Sequence, residues 1–135
     1  MATLDVRGQI SFLYFDDLDA ACDFFETTLG LPLVCDQGWS KIYQTSVSSY
    51  IGAVQRGRGA CAATTRDGVL TSLVVVNFDE MVQRLLDKGI VFERPPHYSE
   101  AMQIKSSMFY GPEGYKFEME EFLSVPDRKA FYPYL

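Results

Sequence analysis

The sequence predicts an α+β fold made of two paired βαβββ modules, and three observations carry that prediction. The first is the turn Gly111-Pro112-Glu113-Gly114, followed by the strictly alternating run Tyr115-Lys116-Phe117-Glu118-Met119-Glu120. The second is a Gly-, Arg-, Ala- and Thr-rich stretch without apolar periodicity, after which the order of elements starts again. The third is a correspondence between the halves at a spacing of about sixty residues. Phe15-Asp16-Asp17-Leu18-Asp19 answers Val75-Val76-Asn77-Phe78-Asp79, Gly30-Leu31 answers Gly89-Ile90, and Tyr50 to Val54 answers Tyr115 to Met119. The 135 residues read as a single domain, residues 1–135. Within it lie a first module (8–56), a linker (57–68), a second module (69–122) and a C-terminal tail (123–135).

In the first module, Gln9 to Phe15 is an apolar, aromatic run of strand length. Asp16-Asp17 offers an N-cap whose charge suits the positive end of a helix. Leu18, Ala21, Phe24, Phe25, Thr28 and Leu29 follow at helical spacing, and Gly30 stops the helix. Leu31 to Cys35, Lys41 to Thr45 and Tyr50 to Gln55 read as strands, with turns at Gln37-Gly38 and Ser46 to Ser49.

In the second module, Val69 to Val76 is a β-rich run. Asn77, with Glu80 three residues on, approximates a capping box. Met81, Val82, Leu85 and Leu86 form a helical stripe that ends at Lys88-Gly89. Ile90 to Phe92 is a short strand, and Pro95-Pro96-His97-Tyr98 reads as an irregular loop. Gln103 to Tyr110 and Tyr115 to Phe122 complete the module. The tail, Phe131-Tyr132-Pro133-Tyr134-Leu135, is too apolar to stay in solvent. It docks across a dimer contact, over the binding face or onto its own module. Open sheet edges and half-covered faces call for pairing of the modules with each other or with a second chain, so a homodimer is expected.

Composition excludes several classes. The formal charge is −6, from 18 acidic and 12 basic residues, which disfavours nucleic acid and anionic membranes as partners. Arg56, Arg58 and Arg66 form a short cluster broken by glycine, read as a solvated linker. Cys22, Cys35 and Cys61 are odd in number and unpatterned, and the single His97 is far from each of them in sequence, so neither a disulfide framework nor a zinc site is expected. Cys35 lacks a nearby base for nucleophilic chemistry. Met1 to Gly8 lacks the regions of a signal peptide, and no apolar run approaches the ~20 residues of a membrane span, so the chain reads as cytoplasmic.

The motifs resemble those of the vicinal oxygen chelate superfamily, which includes glyoxalase I, extradiol dioxygenases and the fosfomycin- and bleomycin-resistance proteins. Phe15-Asp16-Asp17-Leu18, Phe24-Phe25 and Leu29-Gly30-Leu31 match its strand–Asp-Leu–helix–Phe-Tyr–Leu-Gly-Leu pattern. Gly111-Pro112-Glu113-Gly114-Tyr115-Lys116-Phe117-Glu118 matches its Asp-Pro-x-Gly-Asn-x-x-Glu signature, departing at Gly111 and Tyr115. The resemblance implies modules whose mixed sheets curl into a cup, with helices on the convex side and ligand on the concave side. In metal-using members it implies an ion held by the first and last strands of each module. Glu118 falls on one such position, and the others fall on Ile10, Leu70 and Ala53, which cannot bind a cation. A catalytic divalent ion usually wants three His or carboxylate ligands, so no metal and no cofactor is expected.

On that register the cup is lined by Ile10, Phe12, Tyr14, Ile51, Ala53, Leu70, Ser72, Val74, Lys116, Glu118 and Glu120. Phe12, Tyr14, Ala53, Ser72, Lys116, Glu118 and Glu120 are the expected ligand-binding residues. Glu118 serves as a general base or as an anchor for a cationic or hydroxyl group. Trp39 and Tyr43 either stack on ligand or belong to the core, and His97 either sits at the pocket rim or takes part in catalysis. The expected function is a glyoxalase/bleomycin-resistance-like protein that binds a small aromatic or cationic molecule in a concave cleft without a catalytic metal. Two alternatives are a metal-dependent lyase, isomerase or dioxygenase, and a metal-free enzyme with Glu118 as general base.

Overall fold

The computed structural model describes residues 3–135; Met1 and Ala2, which open the segment read as lacking a leader, lie outside the described residues. The chain divides into two compact units, Met1–Thr65 and Arg66–Leu135. Each is a βαβββ module, which makes the fold α+β. The first contains β1 (Gln9–Phe15), α1 (Leu18–Asp23), β2 (Leu33–Asp36), β3 (Ser40–Ser46) and β4 (Ser49–Gln55). The second contains β5 (Leu70–Val74), α2 (Phe78–Asp87), β6 (Phe92–Ser99), β7 (Ile104–Tyr110), β8 (Lys116–Phe122) and α3 (Val125–Phe131). The sheets have the orders β1-β4-β3-β2 and β5-β8-β7-β6. In each, the first and last βαβββ strands pair in parallel and the remaining pairs are antiparallel.

In the first unit the Asp17 carboxylate caps α1 by accepting from the Ala20 amide at 3.1 Å. The helix then widens into a π-helical turn over Phe24–Thr28, where the Leu29 amide donates to the Phe24 carbonyl. The regular 3.6-residue spacing expected from the sequence therefore breaks here, and the consecutive rings Phe24 and Phe25 are both buried. Phe25 stacks on Tyr43 at 5.4 Å and meets Phe15 edge-on at 6.1 Å. Gly30, at φ +67, ends the helix in the left-handed region that glycine tolerates. Tyr43 is thus core: fully buried, its hydroxyl donates to Glu26 at 3.2 Å, and burial pushes its pKa far up.

In the second unit Phe109 stacks on Phe117 at 5.6 Å and meets Phe92 edge-on at 5.8 Å, while α2 contributes buried Phe78, Val82 and Leu85. The expected capping box is absent. Asn77 is left-handed at φ 57 and makes no side-chain cap; the Glu121 carboxylate accepts from the Phe78 amide at 2.9 Å instead. Pro95-Pro96-His97-Tyr98 is not a loop but lies inside β6, an edge strand with register shifts on both sides of Arg94. Prolines fit there because an edge strand need not donate every ladder hydrogen bond. The tail docks on its own unit. Phe131 stacks on Phe122 at 4.0 Å, and the Tyr132 hydroxyl donates to the Val75 carbonyl at 2.6 Å and accepts from the Phe122 amide at 3.0 Å. Among the described residues, no helix is long and apolar enough to cross a membrane.

Candidate functional site

Alternation along each strand gives each sheet one face under its helix and one open face. Glu121 holding the start of α2, and Lys105 paired with Asp79 at 3.2 Å, mark the covered face of the second sheet. The open face carries the opposite alternation, and strand register arranges it in rows. Ser72, Glu118, Met108 and Arg94 form one row across β5, β8, β7 and β6. Val74, Glu120, Ser106 and His97 form a second, and Leu70, Lys116 and Tyr110 a third. Ser72, Lys116, Glu118 and Glu120, four of the expected ligand-binding residues, are thereby brought together.

Arg94 was not expected in this group. It precedes a proline, which favours extended backbone, and the register shifts around it turn it onto the open face opposite Met108. Its Nη2 reaches past Met108 to the Ser106 hydroxyl at 2.6 Å and lies 3.6 Å from Glu118 Oε2. Its Nε is buried without a hydrogen-bond partner among the described residues, so the Nη2 contacts carry its placement. Only 14% of the Glu118 side chain is exposed. Burial, and after it the charge of Glu118, pushes the Glu120 carboxyl above its ordinary range, while a hydrogen bond with Ser72 and the charge of Arg94 pull it down. Lys116 pairs with Glu93 at 3.4 Å and lies over the Tyr110 ring at 5.9 Å. His97 pairs with Ser106 along the β6–β7 ladder and is exposed.

The open face of the first sheet is different. Its rows are Ile10–Tyr50–Gln44, Phe12–Gly52–Ile42 and Tyr14–Val54–Ser40. Phe12 is 46% exposed and lies flat on Gly52, where an added Cβ would collide with the ring. Tyr14 is buried, and its hydroxyl accepts from the Ala60 and Cys61 amides at 3.2 and 3.1 Å, so it anchors the chain leaving β4. Ala53 is corrected: it is fully buried in register with Leu13, and so is Ile51 with Tyr43, so both point toward the helix. Gly52 takes the open-face place assigned to Ala53. The arginine cluster is corrected as well. Arg56 pairs with Asp16 at 3.1 Å, Arg58 lies over Trp39 at 5.2 Å, and Arg66 pairs with Glu113 at 2.9 Å and lies over Tyr115 at 5.3 Å. Cys35 is half-buried in β2.

The family model described as the Glyoxalase/Bleomycin resistance protein/Dioxygenase superfamily matches residues 8–119. The chain belongs to this superfamily. Solved structures share the fold. A glyoxalase/bleomycin resistance protein/dioxygenase from Nocardioides superposes with a TM-score of 0.74 at 20% identity, covering 93% of this chain and 88% of that one. Lactoylglutathione lyase from Agrobacterium tumefaciens gives 0.66 at 22% identity, covering 83% and 90%. TioX from Micromonospora sp. ML1 gives 0.71 at 16% identity, covering 86% and 98%. No curated protein matches the chain.

The residues at the superfamily's metal positions do not suit an ion. With the register known they are Ile10, Leu70, Gly52 and Glu118, a single carboxylate among groups with no donor side chain. Among the described residues, no group of three or more His, Cys, Asp or Glu side chains is gathered to hold one.

Proposed function

We propose that this glyoxalase/bleomycin-resistance-like chain binds a small organic cation with an apolar or aromatic body on the open face of its second module, without a catalytic metal. The observation that carries this reading is a charge imbalance. Glu118 and Glu120 share the one guanidinium of Arg94, and burial disfavours the second negative charge. A ligand cation beside Glu120 would compensate that charge, and a desolvated carboxylate–cation pair is a strong, orienting contact. Leu70, Val74, Met108 and Tyr110 surround the acids with apolar surface, the usual composition of a small-molecule site. Lys116 is paired with Glu93 and so adds little net charge.

Thermal-shift and calorimetric titration test the reading with matched sets of aromatic amines, neutral alcohols and carboxylates. Amines raise Tm and bind saturably, and Glu120→Gln and Glu118→Gln weaken them. Preference for the carboxylates refutes it. The raised pKa of Glu120 favours a second reading, a metal-free acid–base enzyme in which Glu120 rather than Glu118 exchanges the proton. Turnover of a bound carbonyl compound that is lost in Glu120→Gln distinguishes it from simple binding. A homodimer is also proposed, supported by exposed Ile10, Phe12, Leu70 and Val74 on the edge strands β1 and β5. Light scattering reads its mass.

A further inference from the structure

We propose that Arg94 is this chain's built-in counter-cation for Glu118, doing with a guanidinium what a divalent ion does at the same strand position in metal-using members of the superfamily. The inference shares its face with the proposed ligand site, but it concerns the ligand-free protein and is tested there.

Three observations support it. A carboxylate with most of its side chain withdrawn from water needs a positive partner, and Arg94 Nη2 lies 3.6 Å from Glu118 Oε2. The guanidinium is held in place, because the same Nη2 donates to Ser106 at 2.6 Å. Its approach is specified by backbone. The two register shifts in β6 and the proline that follows put residue 94 on the row that ends at Glu118 and Ser72. A metal at Glu118 would have to displace this arm or compete with it for the Glu118 carboxylate, with Glu120 one row over. The neighbours on the row, Met108 and Ser72, offer it no strong ligand. The guanidinium differs from an ion in a way that matters for function: it cannot polarise a carbonyl as a Lewis acid, and it survives chelators.

The test uses purified full-length protein without ligand. Calorimetric titration with zinc, nickel and manganese chlorides should show no saturable site in the wild type. Arg94→Ala should melt several degrees lower, because Glu118 is left buried without its partner. Adding Glu118→Gln to Arg94→Ala should restore much of the loss, since the charge that needed compensation is gone. Millimolar methylguanidinium should raise the Tm of Arg94→Ala by more than that of the double variant. If the single variant does not fold, the double variant folding supplies the same coupling. Stoichiometric metal bound by the wild type and lost in Glu118→Gln overturns the proposal. So do strictly additive effects of the two substitutions. The additivity result does not depend on whether amines bind, so on that arm this inference and the proposed function fail separately.

Discussion

The two modules have the same strand order and each buries a stacked aromatic pair, a helix ring on a strand ring in one and two neighbouring strand rings in the other, yet the faces their helices leave open have little in common. Phe25 stacks on Tyr43 in one, and Phe117 stacks on Phe109 in the other. On the open faces, β4 contributes Tyr50, Gly52 and Val54, where β8 contributes Lys116, Glu118 and Glu120. Where the first module lays the Phe12 ring on a glycine, the second sets a carboxylate beside an arginine. The helix side must fill space at crystal-like density, which leaves few solutions. The open side carries no such demand, so charge can accumulate there. Chemistry in this chain is therefore sought where the halves diverge.

The largest expected effect tests the similarity. Phe25→Ala and Phe117→Ala should each cost about 3–5 kcal/mol in urea unfolding, as buried aromatic truncations do. A marked inequality would show that the two covered faces do not share the burden of stability equally. The next test concerns the difference. Glu120→Gln should weaken amine binding roughly tenfold to a hundredfold, the ~1.5–3 kcal/mol of a charge-assisted contact. Tyr132→Phe should cost about 1–2 kcal/mol, since it leaves the Val75 carbonyl and the Phe122 amide without their partner. Gly52→Ala should cost ~1 kcal/mol by lifting Phe12 from the sheet, measured as a shift in urea midpoint.

The smallest effect is the dependence of stability on pH. Glu120 has a folded-state pKa raised above its unfolded value. A raised acid stabilises the fold fully below the unfolded pKa, and that contribution is lost as pH rises through the folded pKa. Glu120→Gln should therefore raise Tm at pH 7, with the gain gone by about pH 4. A gain that grows on acidification would contradict the assigned burial.

Strand positions were legible wherever alternation and turns agreed, and β1 spans Gln9–Phe15 as the apolar run predicts. The face of β4 was not legible. Tyr50-Ile51-Gly52-Ala53-Val54 is apolar or small on both sides, so only pairing with β1 and β3 shows that Ala53 turns inward and Gly52 outward. That Lys116, Glu118 and Glu120 share one face was legible because Lys116-Phe117-Glu118-Met119-Glu120 alternates without a break. Arg94 was missed because Pro95-Pro96 signals a loop, and nothing local says that an edge strand absorbs both prolines. The apolar tail announced that it would dock but not where; its seat depends on Phe122 and Val75, far apart in sequence.

We propose that the second module's open face holds an organic cation against two carboxylates and a resident guanidinium. Calorimetric titration of benzylamine into chelator-treated protein, beside benzyl alcohol and benzoate, measures this most directly. The account predicts saturable binding of the amine alone, weakened in Glu120→Gln. Binding of benzoate in preference, or amine binding that appears only when a divalent metal is restored, would contradict it.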